Sequence, residues 1–194
     1  MNNEWLDKKE LIKCGNNVIK EILDKYKHEC KNNRSPCIIN ILYNNNTITL
    51  PNLKEISRTN NSIIYLYNET NCRNIIIKRV FASRNREQVL NKEIKILNTL
   101  KTLNNPCSKY YIDSYNIGPL FFMNKAEGDL RDVENKLTIK SALLIIYQIL
   151  MAFKCIYKMY KLLYIDVKPD NFLYLSEKNK NGEIIYNILI TDLS

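Results

Sequence analysis

A chain of 194 residues, 45% hydrophobic and 25% charged, can hold one ordinary domain or two small lobes and has the composition of a soluble globular protein. Its net charge of +9 would suit a polyanion, yet the Lys and Arg residues are spread along the chain and no nucleic-acid motif accompanies them. A solvated basic surface is therefore expected, with no specific nucleic acid as partner. The abundance of Asn, Ile and Lys reads as codon composition in an AT-rich genome. The cysteines at 14, 30, 37, 72, 107 and 155 contain no Cys-x-x-Cys pair, and His28 is the single histidine. Neither a zinc site nor a disulfide framework is expected, and a reducing intracellular compartment, cytoplasmic or nuclear, fits.

The N-terminal residues Met1 to Trp5 lack a basic stretch followed by an apolar one, so no signal peptide is expected. Over 5–26, Leu11, Ile12, Val18, Ile19, Ile22, Leu23 and Tyr26 recur at three- and four-residue spacing, which predicts an amphipathic helix. Polar residues 27–37 read as a linker. Short β-branched and aromatic runs at 38–43, 47–50, 63–67 and 75–81, separated by asparagine-rich turns, predict an antiparallel sheet. A helix is expected over 84–103, stopped by Asn104-Asn105-Pro106, and then strands at 110–115 and 120–123. A polar segment at 124–129 precedes a long, largely apolar helix over 138–162. Its most apolar run, 142–153, is interrupted by Gln148 and bounded by Lys140 and Lys154, so it reads as too short and too charged at its ends to span a bilayer. The chain closes on a hairpin with strands at 172–175 and 184–191.

Between the long helix and the hairpin lies Leu163-Tyr164-Ile165-Asp166-Val167-Lys168-Pro169-Asp170-Asn171-Phe172-Leu173. A carboxylate, an ammonium and a carboxamide fall within six residues, stiffened by proline and anchored by apolar neighbours. Asp and Asn beside Pro are also ordinary turn formers. The spacing Asp-x-Lys-Pro-x-Asn resembles the catalytic loop of the eukaryotic protein kinases. The resemblance implies an α+β, protein-kinase-like fold, with an antiparallel small lobe carrying one main helix and the start of a helical large lobe. In this chain those parts would be a helix and linker at 1–37, a small lobe at 38–123, and a hinge exit with an incomplete large lobe at 124–194.

The resemblance also implies roles. Asp166 would orient the proton of the acceptor hydroxyl, Lys168 would offset charge on the transferring group, and Asn171 would bind Mg²⁺ through its amide oxygen. Asp192, after the hairpin, stands where the family has Asp-Phe-Gly and would be the main metal ligand. Ile75-Ile76-Ile77-Lys78 is similar to the Val-Ala-Ile-Lys strand, so Lys78 would reach the ATP phosphates and pair with Glu93, with Glu87 as the competing candidate. Backbone groups of Met123 and Lys125 would meet the adenine, and Phe122 would sit at the back of the pocket.

The pattern departs from the family in places. Ser57, Thr59 and Ser62 take the positions of the glycines that let backbone approach phosphate, and their Cβ atoms disfavour positive φ. Tyr164-Ile165 replaces His-Arg, so control through a phosphorylated activation loop is not expected. Lys-Pro-Asp-Asn-Phe-Leu at 168–173 looks most like the casein kinase 1 and vaccinia-related kinase group, which implies serine/threonine specificity. Composition and resemblance together suggest a large DNA virus as source.

The resemblance covers roughly residues 53–194 and stops at the metal-binding Asp. A long apolar helix left uncovered there would expose a patch of the kind that marks an interface. The leading expectation is an ATP- and Mg²⁺-dependent protein serine/threonine kinase with a protein substrate, present as an incomplete domain. The second is a catalytically weak or inactive kinase mimic that binds another kinase or its substrate. Net charge alone supports a third, nucleic-acid binding. The sequence leaves the oligomeric state open.

Overall fold

The structure, a computed structural model, describes residues 5–26, 48, 50–60, 62–69, 71–81, 95–96, 107–161, 163 and 166–191. These fall into two units, residues 1–90 with 113–125 and residues 91–112 with 126–194. The sequence expectations at 27–47 and over most of 84–103, including Glu87 and Glu93, lie outside the described residues, as does Asp192.

In the first unit, helix α1 (Lys8–Lys25) starts at a reciprocal cap. The Asp7 carboxylate accepts from the Glu10 amide at 2.9 Å, and the Glu10 carboxylate accepts from the Asp7 amide at 2.8 Å. Its apolar stripe, Leu11, Cys14, Val18, Ile19 and Ile22, is buried on a five-stranded sheet of strands β1 (Leu53–Arg58), β2 (Ser62–Glu69), β3 (Cys72–Val80), β4 (Ser114–Ile117) and β5 (Leu120–Asn124). The order is β1-β2-β3-β5-β4 and all neighbours run antiparallel. Strand alternation sends Ile63, Tyr65, Tyr67, Ile75, Ile77 and Phe122 into the core that α1 covers. Gly15 permits the close approach, since a Cβ there would lie 3.0 Å from the Tyr115 ring and 3.2 Å from the Phe122 ring.

Two strand expectations are corrected, one in this unit and one at residues that fall mostly in the second. Strand β1 was not foreseen, because five of its six residues are exposed and it lacks the alternation that marks a half-buried strand. The strand expected at 110–115 is instead a 3₁₀ turn over Ser108–Tyr110 and an isolated bridge at Tyr111, with β4 beginning at Ser114. The apolar side chains that suggested a strand, Tyr111 and Ile112, are buried all the same.

A third correction concerns the cysteines. Cys14 is bonded to Cys72 and Cys107 to Cys155, and no cysteine among the described residues is free. Pairs 58 and 48 residues apart carry no local spacing signature, so only the fold brings them together. The first bond fastens α1 to β3.

In the second unit, helix α2 (Ile139–Tyr160), capped by Thr138, packs through Ile145, Ala152 and Ile156 on a three-stranded sheet ordered β6-β7-β8, where β6 is Gly128–Asp129, β7 Phe172–Lys178 and β8 Ile184–Ile190. At 22 residues α2 exceeds the apolar run read from sequence, and by length and composition alone it could cross a membrane. Its inner face packs within this unit through Ile145, Ala152 and Ile156. Tyr111 donates its hydroxyl to the Ala152 carbonyl at 3.1 Å, and the Cys155 bond ties the helix to residue 107. Gln148, the polar interruption in the apolar run, donates from Nε2 to the Tyr186 carbonyl at 2.8 Å and accepts from the Ile188 amide at 3.0 Å. It thereby occupies the open edge of β8 as a neighbouring strand would.

Candidate functional site

The loop after α2 brings three of the expected residues together in the second unit. Pro169 fixes the start of a single 3₁₀ turn, Pro169–Asn171, whose Asn171 amide donates to the Lys168 carbonyl at 3.0 Å. The turn carries Asn171 inward to 5% exposure while Asp166 and Lys168 stay accessible. Lys168 Nζ lies 2.7 Å from Asp166 Oδ2. Asn171 Nδ2 donates to the same Oδ2 at 2.9 Å and to the Asp166 carbonyl at 3.0 Å. Asp166 is thus oriented by an ammonium and a buried amide at once. With both Nδ2 hydrogens committed, Asn171 Oδ1 is the atom that could serve a hard cation.

Neighbouring elements hold this turn. The Thr191 amide, immediately before Asp192, donates to the Asn171 carbonyl at 3.2 Å, so the end of β8 is tied to the loop. Arg131 Nε lies 3.0 Å from Asp170 Oδ1, and the same guanidinium holds Asp129 at 2.8 Å. The Arg131 hydrogen bond keeps the Asp129 carboxyl below its ordinary range. The sequence reading assigned no part to Arg131. Among the described residues no group of three or more His, Cys, Asp or Glu converges as a metal site. The metal expectation rests on Asn171, whose donor atom fits, and on Asp192.

The remaining described candidates belong to the first unit. Lys78 lies on β3 opposite Ile64 of β2 and Phe121 of β5, on the sheet face away from the α1 core. The register corrects the expected pocket wall. Phe122 points into the core under α1, whereas Phe121 and Met123, opposite Lys78 and Ile76, share the Lys78 face. Alternation makes this a one-residue matter, and only the pairing settles which phenylalanine faces which way. Met123 lies within the sheet between Ile76 and Ser114, and the exposed Lys125 donates its amide to the Asn74 carbonyl at 3.0 Å.

Ser57, Thr59 and Ser62 lie at the β1–β2 turn. The Thr59 amide donates to the Ser62 carbonyl at 2.8 Å, and the Ser62 amide donates to the Thr59 hydroxyl at 3.1 Å. Ser57 pairs with Ile64 just after a bulge at Ile56. None of the three adopts positive φ. The turn is closed within itself, with the Thr59 and Ser62 amides both engaged across it.

No protein-family model and no curated protein matches the sequence. Among solved structures, the chain is similar to the crystal structure of a kinase domain, with a TM-score of 0.54 and 14% identity. The match covers 78% of this chain and 54% of that one, so the chain spans about half the length of the kinase domain it resembles. The chain has a protein-kinase-like fold, with an antiparallel sheet and two helices among the described residues.

Proposed function

We propose that the chain carries the catalytic loop of a protein serine/threonine kinase that transfers a phosphoryl group from Mg-ATP to a protein hydroxyl. The observation that carries this reading is the convergence of Lys168 and Asn171 on Asp166. Asp166, partly exposed and held by two donors, would take the proton of an acceptor hydroxyl. Lys168 would offset the negative charge that builds on the transferring oxygens. Bound Mg²⁺ would neutralise the phosphates, held by Asn171 Oδ1 and Asp192, with Lys78 positioning the nucleotide. Serine/threonine preference and proximity to the casein kinase 1 and vaccinia-related kinase group rest on the Lys-Pro-Asp-Asn-Phe-Leu run. An intracellular protein substrate would fit.

A second reading, a weak or inactive kinase mimic that binds another kinase or its substrate, is favoured by the self-closed Thr59–Ser62 turn and by the Lys125 amide already engaged by Asn74. Calorimetric titration with Mg-ATP, followed by labelling of a generic protein acceptor, separates the two. The enzyme reading expects saturable binding and labelled Ser or Thr. A folded chain that neither binds nor labels would leave the mimic.

A further inference from the structure

The two disulfides differ in access. Cys14, Cys72 and Cys107 are fully enclosed, whereas Cys155, on α2, is only half-buried. A thiolate reductant therefore has an approach to the Cys107–Cys155 bond that the Cys14–Cys72 bond lacks. What the accessible bond holds is a strap along the end of β8. The Cys107 carbonyl accepts from the Tyr110 amide at 3.0 Å and so opens the 3₁₀ turn Ser108–Tyr110. Tyr111 then bridges in parallel to Ile190, and the Ile112 amide donates to the Ile190 carbonyl at 3.1 Å. The residue after Ile190, Thr191, donates its amide to the Asn171 carbonyl at 3.2 Å, and the Asn171 carboxamide holds Asp166.

A continuous path of covalent and hydrogen bonds thus runs from the Cys155 sulfur to the Asp166 carboxylate, all of it within the second unit. Gln148 grips β8 separately, at Tyr186 and Ile188. Breaking the Cys107–Cys155 bond releases the start of the strap from α2 and leaves the Tyr111 hydroxyl on the Ala152 carbonyl to hold it there. Loosening then concentrates at the end of β8 and in the loop, while the stretch gripped by Gln148 stays in place.

We infer that the Cys107–Cys155 bond is a redox-sensitive latch on the Asp166 loop, opened by a dithiol. One thiolate of the dithiol attacks Cys155 Sγ and displaces Cys107 as a thiolate; the second thiol then attacks the mixed disulfide and releases Cys155. The dithiol leaves as a cyclic disulfide, two electrons pass to the protein, and each cysteine takes up a proton to end as a thiol. What the latch controls rests on the phosphoryl-transfer reading, but the coupling is measured at amides and holds or fails without that reading. Graded dithiothreitol on the whole 194-residue chain, with alkylation and peptide mapping followed by amide hydrogen exchange, tests it. Cys107 and Cys155 should be alkylated before Cys14 and Cys72. At that dose the Ile112, Asn171 and Thr191 amides should exchange roughly tenfold faster, while Ile188 and, in the first turn of α2, Ala142 stay within about twofold. Cys107→Ala with Cys155→Ala should show the same pattern without dithiothreitol and no response to that dose. Equal acceleration at Ile188 and Ala142, no acceleration at Thr191, or alkylation of Cys14 and Cys72 first would each overturn the inference.

Discussion

At the residue scale, carboxamides substitute for backbone. Asn124 pairs through both ends of its amide with Leu6, accepting from its N–H and donating to its C=O at 3.0 Å each. Gln148 does the same for β8, and Asn171 spends its amide hydrogens on Asp166. A composition read as codon bias therefore includes asparagines with assigned structural work, and Asn74 supplies one of the two positive φ angles at non-glycine residues among the described residues. Gln148→Leu keeps the volume but leaves the Tyr186 carbonyl and Ile188 amide unpaired. Urea unfolding should show a loss of about 2 kcal/mol. Tyr67 gives a pH-dependent counterpart. Its hydroxyl is shared between the Glu21 and Glu69 carboxylates, and burial first, then these two partners, push its pKa far up. In the unfolded chain a tyrosine ionises near pH ~10, so the stabilisation is complete below that value and is lost as pH rises toward the folded value. Tyr67→Phe should flatten that part of the alkaline stability loss, measured as unfolding free energy against pH between about 8 and 11.

At the scale of elements, periodicity was a sufficient guide wherever one face is buried. Helices α1 and α2, strands β2, β3 and β5, and the terminal hairpin each carry an apolar stripe readable from spacing. Strand β1, exposed along almost its whole length, has no such stripe. Pairings between distant residues left no local trace either: Gln148 meets β8 about 40 positions away, and Cys14 meets Cys72. The choice between Phe121 and Phe122 was invisible for the same reason, since it depends on register with β3. The Cys14–Cys72 bond closes 58 residues of chain, and removing it frees the unfolded state more than the folded one. Cys14→Ala with Cys72→Ala should lower the unfolding free energy by ~2–4 kcal/mol. Reductant should shift the denaturation midpoint of wild type well beyond any shift in the variant. The β1–β2 turn makes a further prediction: Thr59→Gly with Ser62→Gly removes its side-chain closure and should tighten Mg-ATP binding in a titration if that closure restrains phosphate approach.

At the scale of the whole molecule, the kinase-like fold and the Asp166 loop support each other without depending on the same residues. The fold rests on sheet order and on likeness to a kinase domain, the loop on the hydrogen bonds of Asp166, Lys168 and Asn171. Lys78, Met123 and Lys125 belong to one unit and the loop residues to the other. The central claim is that Asp166 acts on the acceptor hydroxyl, and single-turnover transfer of the γ-phosphate from Mg-ATP to a protein acceptor tests it most directly. Asp166→Asn retains the carbonyl that Asn171 bonds and should leave Mg-ATP affinity unchanged while slowing transfer by ~10²–10⁴-fold. Transfer at the wild-type rate in Asp166→Asn would contradict the account.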